Sequence, residues 1–235
     1  LFNVITPGAA VKDVDEVFAD PAYRVFEDHF DTQAVQHCHI ENPVSYAYME
    51  AGRIVVVSST QIPHIVRRVI GQALGIGWGN IRVIKPYIGG GFGNKQEVLY
   101  EPLNAWITTQ VGGRPVKLEC TREETFQNTR SRHPIHFDLK AAVGPDMRLM
   151  ARECRAVSNQ GGYASHGHAI VANAVTGFRQ TYPDVLAHRS EAWTVYTNLG
   201  STGAMRGYGI PQCNFAGECM MDDIAREMGW DPLEF

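Results

Sequence analysis

The chain has 235 residues, 44% of them hydrophobic, with 21 Lys and Arg against 25 Asp and Glu for a formal net charge of -4. A chain of this length can bury a real core, and balanced charge without a basic cluster argues against general affinity for nucleic acid. No apolar run approaches the roughly 20 residues of a membrane span, and no basic stretch followed by an apolar one opens the chain, so neither membrane nor export is expected.

Five scattered cysteines, Cys38, Cys120, Cys154, Cys213 and Cys219, form no C-x-x-C pair. A disulfide framework or structural zinc site is not expected, and a reducing, cytoplasmic compartment is. The chain starts at Leu1 without Met and stops at Phe235 just after a helical pattern and a turn, which reads as an excised segment of a longer polypeptide.

In chain order, residues 1–21 read as an irregular lead-in with Pro7-Gly8 and Asp20-Pro21 as breakers, followed by a strand over 23–30. Residues 45–50 and 53–59 predict a hairpin turning at Ala51-Gly52. A helix follows, with Pro63 in its first turn, an apolar face including Val66, Ile70 and Leu74, and Gly75 at its end. Residues 80–85 alternate like a strand, and 97–110 have helical spacing.

Between them lies Gly89-Gly90-Gly91-Phe92-Gly93-Asn94-Lys95-Gln96. Glycines between a strand and a helix can offer main-chain N–H groups to an anion at the helix N-terminus. The spacing matches neither the dinucleotide fingerprint nor the phosphate-cradling Gly-Lys-Ser/Thr loop. A tight turn needing positive φ is the alternative meaning of such a run.

Further on, Gly112-Gly113-Arg114-Pro115 leads into a strand over 116–120, and Thr121 with Glu124 forms the pattern of a capping box opening a helix to Thr129. Strands over 135–143 and 149–159 join at Gly144-Pro145-Asp146. Residues 168–178 read as helical, 185–197 as a broken strand region, and 212–228 as an amphipathic helix capped by Gly229. Strands and helices mix without a βαβ rhythm, which predicts an α+β architecture with a sub-domain division near 111–120.

A second glycine-bearing segment, Gly203-Ala204-Met205-Arg206-Gly207-Tyr208-Gly209-Ile210-Pro211-Gln212, precedes the last helix. An Arg among glycines offers a planar donor fork beside open backbone, and Tyr208 a flat wall. An anionic cofactor beside a flat substrate fits this set, as does an Arg bonding loop carbonyls with a Tyr filling core. His37-x-His39 and His166-x-His168 lack a third ligand at metal spacing, so no direct metal ligation by side chains is expected.

Gly-Gly-Gly-Phe-Gly-x-Lys at 89–95, with Ala-x-Arg-Gly-aromatic-Gly-x-Pro-Gln at 204–212, resembles the molybdenum-binding subunit of the xanthine dehydrogenase and aldehyde oxidase family. The 37–41 stretch, Thr121 to Glu124, Ser131 to Pro134 and Asp231 to Phe235 also match, so the likeness spans essentially the whole chain. The resemblance implies the first half of a molybdopterin-binding region of α+β fold. Gly91, Phe92 and Gly93 are expected to face the cofactor, as are Ala204, Met205 and Arg206. Tyr208 is expected to stack on substrate and Gln96 to face it.

A glutamine near the metal is also implied, with Gln33 and Gln36 as the candidates. Where xanthine-oxidising members have Gly-Lys-Glu this chain has Asn94-Lys95-Gln96, and a Glu-Arg pair near Ala172-Asn173 is missing. A purine, another aromatic N-heterocycle or an aldehyde therefore stays open as substrate.

The implied reaction is hydroxylation with water as oxygen source, electrons leaving through 2Fe-2S and FAD groups on other domains or subunits. The general-base Glu is expected downstream, and no catalytic residue is expected among Glu41, Glu97, Glu101 or the other acids here. The segment alone is expected to be inactive. It needs the other half of the molybdopterin-binding region and the iron–sulfur and FAD components as partners, besides its small-molecule substrate. Two other classes stay open: a non-catalytic cofactor-assembly module and a plain anion-binding domain.

Overall fold

The computed structural model describes residues 12–235, so the lead-in before Lys12 lies outside the described residues. The chain divides into two units, each built around one four-stranded sheet. The first takes residues up to Val35, His133–Thr202 and Gly207–Phe235; the second takes Gln36–Arg132 and Gly203–Arg206.

In the first unit the sheet order is β1-β6-β7-β8, with β1 Arg24–Asp31, β6 Ile135–Val143, β7 Leu149–Gly161 and β8 Ala187–Tyr196. β6 shows why it forms: Ile135, Phe137, Leu139 and Ala141 are buried, and the residues between them face the other side. The buried row packs with Ala174 and Phe178 of helix α5 (Gly167–Thr181) and Met220 and Ile224 of α6 (Ile210–Met228). Each fully buried Ile, Leu, Phe or Met among them contributes about 1.5–3 kcal/mol, and each alanine methyl less. The short helix α1, Val14–Ala19, packs Val14 and Val17 with Ala142, Ala151 and Ala187. Sequence reading placed no helix there, because six residues are too few to show a helical period.

Arg152 of β7 is buried in this unit, 1% exposed, with its guanidinium over the Phe178 ring and one Nη donating to the Phe178 carbonyl at 2.6 Å. Burial lowers its pKa to about 10. A Cβ on Gly217 would come within 3.8 Å of this guanidinium.

In the second unit the order is β4-β3-β2-β5, with β2 Val44–Glu50, β3 Arg53–Ser58, β4 Ile81–Ile84 and β5 Val116–Glu119. The hairpin β2–β3 turns at Ala51 and Gly52, both at positive φ, as a two-residue hairpin turn requires. Helix α2 (Pro63–Leu74) ends on left-handed Gly75, and α3 (Glu101–Gln110) and α4 (Arg122–Asn128) complete the unit. Its core joins Ile54 and Val56 to Val66, Ile70 and Ala105. The Thr121–Glu124 capping box is present in both directions.

Three expectations need correction. Residues 111–120 do not divide the fold: β5 pairs antiparallel with β2, which holds that stretch inside the second unit. A βαβ arrangement does occur, twice. β3 and β4 are parallel across α2, and β7 and β8 are parallel across α5, each pair set in an otherwise antiparallel sheet. Finally, the helix after the glycine loop begins at Glu101, not 97: Glu97 is extended, and Pro102 sits in the first turn.

Candidate functional site

In the second unit, four pieces of chain close around the glycine loop. Glu41 holds its two ends: the carboxylate accepts from the Gly89 amide at 3.0 Å and ion-pairs Lys95, and the Glu41 amide donates to the Gly89 carbonyl at 3.1 Å. The Lys95 side chain is only 2% exposed. Burial lowers its pKa against the pull of Glu41, while Glu41 itself is lowered, burial being outweighed by the Lys95 and Gly89 donors.

Gln61 holds the middle of the loop. Its Oε1 accepts from the Gly93 amide at 3.0 Å, and its own amide donates to the Lys95 carbonyl at 2.8 Å. Asn94, fully buried, places its Nδ2 within 3.2 Å of Gln36 Oε1, His39 Nε2 and Thr129 Oγ1. A neutral His39 fits this role, with Nδ1–H donating to the Glu41 carbonyl at 2.6 Å. Burial, with Lys95 nearby, lowers its pKa and keeps it neutral.

The segment Gly203–Arg206 lies directly against this loop. The Arg206 amide donates to the Phe92 carbonyl at 2.8 Å, and the Ala204 carbonyl accepts from His37 Nε2 at 2.7 Å. Arg132 donates to the Arg206 carbonyl at 2.8 Å, and the Gly203 amide to the Ser131 carbonyl at 2.9 Å. Gly93 has φ +106°, and a Cβ there would come 2.4 Å from the Ala204 carbonyl oxygen. Only glycine lets the two segments meet this closely.

Phe92 itself sits at φ +51° and is 46% exposed, a left-handed conformation that a bulky residue adopts only when its surroundings impose it. The amides of Gly91 and Phe92, and Nε2 of Gln61, donate to no protein acceptor among the described residues. Ala204 is buried, Met205 half-buried and the Arg206 side chain exposed. Unengaged N–H donors with an exposed guanidinium on one loop pair suit oxygen atoms of an anionic group, so these residues fit the oxygen-rich cofactor that the resemblance implies.

In the first unit, Tyr208 stands between Gly207 and Gly209, all three at positive φ. Its hydroxyl lies 2.8 Å from His166 Nδ1, its ring meets the His166 ring edge-on, and its carbonyl accepts from Asn173 Nδ2 at 2.7 Å. The half-buried ring is thus fixed at hydroxyl and backbone. Gln33 is exposed just after β1 in the same unit.

The sequence-derived set therefore divides. Gly91, Phe92, Gly93, Ala204, Met205 and Arg206 share one constellation, and Gln96 is half-buried in the short turn closing the loop. Gln36 has no spare group, since Nε2 donates to the Thr125 carbonyl and Thr129 Oγ1 while Oε1 accepts from Asn94 and from the His37 amide. The glutamine whose side chain bonds the loop backbone is Gln61, which sequence reading missed. It follows β3 in a polar Ser-Ser-Thr-Gln run with no period to single it out. Glu41 Oε2 is engaged by Lys95 and the Gly89 amide, and Glu101 accepts from Ser58 Oγ and the Leu99 amide, so both carboxylates hold the local fold.

Residues 3–235 match the family described as molybdopterin cofactor-binding domain. The chain is 50% identical over 216 residues to the xanthine dehydrogenase molybdenum-binding subunit of Escherichia coli O157:H7, covering 92% of this chain and 29% of that protein. It is 33% identical over 231 residues to the nicotinate dehydrogenase large molybdopterin subunit of Eubacterium barkeri, covering 95% and 53% respectively. The crystal structure of the aldehyde oxidoreductase from Desulfovibrio desulfuricans ATCC 27774 superposes with a TM-score of 0.88 at 28% identity, over 96% of this chain and 25% of that one.

Proposed function

Because this chain belongs to the molybdopterin cofactor-binding domain family, we propose that it supplies part of the molybdopterin and substrate site of a molybdenum-dependent hydroxylase that uses water as oxygen source. The observation that carries this reading is the junction of the two loops, with the Arg206 amide bonded to the Phe92 carbonyl and Gly93 against Ala204. When bound, the molybdenum centre supplies the oxygen-transfer and two-electron chemistry. The amides of Gly91 and Phe92, Gln61 Nε2 and the Arg206 guanidinium hold the oxygen-rich group, and Ala204 and Met205 line it.

Tyr208, pinned by His166, gives a planar substrate a fixed stacking face, and Gln96 offers a neutral amide that can donate and accept. The general base is a glutamate outside these residues, and electrons leave through 2Fe-2S and FAD components in partner domains or subunits. The similar proteins are named for a purine, a pyridine carboxylate and an aldehyde activity. At 50% identity the first leads, so a purine is the first substrate to try, before other N-heterocycles and aldehydes. The five free cysteines accord with work in the cytoplasm, and no helix among the described residues is long and apolar enough to cross a membrane.

The intact protein carrying this chain, loaded with molybdenum, is to be assayed on xanthine, hypoxanthine, N-heteroaromatic acids and aldehydes. Turnover of one class is expected, with Arg206→Ala lowering kcat at least tenfold and Gln96→Ala acting mainly on KM. A molybdenum-replete protein that oxidises none of them overturns the reading.

A further inference from the structure

On the first unit's sheet, on the face opposite α5 and α6, β1 and β6 bring four side chains together. The register sets His29 opposite Asp138 and Asp31 opposite His136, so alternation puts all four on one face of the two-stranded ribbon. His29 Nδ1 lies 2.6 Å from Asp138 Oδ1, and His136 Nε2 lies 3.0 Å from the same oxygen. The ligand atoms of His29, His136 and Asp138 all lie within 4.8 Å of one another. In a tetrahedral zinc site with bonds of about 2.0–2.2 Å, ligand atoms sit roughly 3.3 Å apart. The three groups need only small rotations to meet that spacing.

A second feature points the same way. His136 Nδ1 is 2.8 Å from Asp31 Oδ1, so with a metal on Nε2 the proton would sit on Nδ1 and be held by Asp31, while Nε2 lies 3.0 Å from Asp138 Oδ1. A carboxylate behind a histidine whose other nitrogen faces a shared point is the outer arrangement that metal-binding histidines ordinarily have. The neighbouring cations are engaged elsewhere. Lys140 ion-pairs Glu27 at 2.6 Å, and Arg155, the β7 partner of Asp138, has its guanidinium 4.8 Å from the centre of the Trp193 ring.

We propose that His29, His136 and Asp138 form a binding site for a divalent transition metal of the zinc class, oriented by Asp31 and fastening β1 to β6. Two imidazoles and one carboxylate suit zinc and its neighbours over magnesium or calcium, which favour oxygen-only sets. Three protein ligands leave a fourth position for water. The site uses none of the residues assigned to the cofactor, so it stands or falls separately from the proposed activity.

The test is zinc titration by calorimetry on the intact protein after mild chelation, with zinc content measured after gel filtration. One zinc per chain is expected, together with a rise in the midpoint of thermal unfolding. His136→Ala and Asp138→Asn should weaken that binding at least a hundredfold, and Asp31→Asn about tenfold, with the far-ultraviolet spectrum and molybdenum content unchanged. Because His29 is 71% exposed in its side chain, His29→Ala serves as a further variant with little risk to folding. Zinc bound equally tightly in wild type and all variants would place the ion elsewhere, on exposed Cys38 for example, and overturn the proposal. Absence of zinc binding in the wild type overturns it as well.

Discussion

A methyl group at Gly93 has no room: it would overlap the Ala204 carbonyl oxygen, and its backbone would keep a φ of +106° that L residues rarely adopt. Gly93→Ala should therefore cost about 1–3 kcal/mol from the backbone alone, and more if the two loops part. In the intact protein, molybdenum content should fall well below the wild-type value, as elemental analysis would read. Full molybdenum occupancy in this variant would show that the tight junction is dispensable. The need for glycine here was legible from the run itself, but the partner it meets was not. Ala204 is more than a hundred residues away in the chain, and no local pattern encodes that contact.

His188 gives a pH dependence of known sign. Burial, with Arg152 and Arg179 nearby, pushes its pKa down to about 4. The folded protein keeps the ring neutral while the unfolded chain takes up a proton below the ordinary histidine value, so folding is disfavoured as pH falls from about 6.5 to about 4. The loss reaches roughly 3 kcal/mol at the acid end. Urea unfolding at pH 7 and pH 4.5 should show a smaller difference for His188→Gln than for wild type; identical differences would remove this group as the cause.

At the scale of elements, strongly patterned segments were legible from sequence. The hairpin, α2 with its glycine end, the capping box, β6 and the last helix stand within about two residues of their expected bounds. Each carries its own local signal, either a period, a turn pair or a cap. The misreadings fall where tertiary contacts decide. Residues 97–100 have helical composition but run outside the helix, because Glu101 is buried against Ser58 and accepts from the Leu99 amide, which fixes the helix start there. Residues 187–196, read as broken, form one strand because β7 supplies a parallel neighbour along their length. Thr121→Ala removes one half of the capping box of α4 and should cost about 1 kcal/mol, a fall of roughly 2–4 °C in Tm. An unchanged Tm would mean that packing, not the cap, sets the start of this helix.

At the scale of the whole molecule, the chain crosses between two cores four times, near 35, 132, 202 and 206. Sequence could not reveal this, since the division follows sheet membership and each sheet gathers strands from distant stretches. The single break expected near 111–120 looked plausible because Gly112-Gly113-Arg114-Pro115 interrupts the pattern, but that interruption is only the turn before an edge strand. The separate cores carry a prediction. Ile70→Ala opens a cavity in the second unit's core and should cost about 2–5 kcal/mol. Hydrogen exchange should then show protection falling first in β2 to β5 and α2, with the β6 and β7 amides less affected. An equal loss in both sheets would show that the two cores melt as one.

Arg152 makes the first unit unusual in a way that conservative substitution cannot imitate. A guanidinium starts so far into the basic range that even the displacement imposed by its aromatic and aliphatic enclosure leaves it ionised in neutral solution. An ammonium subjected to the same displacement would arrive close to neutrality and shed its proton as the medium became mildly alkaline. Exchanging one basic residue for the other there would turn a charge kept throughout the neutral and mildly alkaline range into one lost within it.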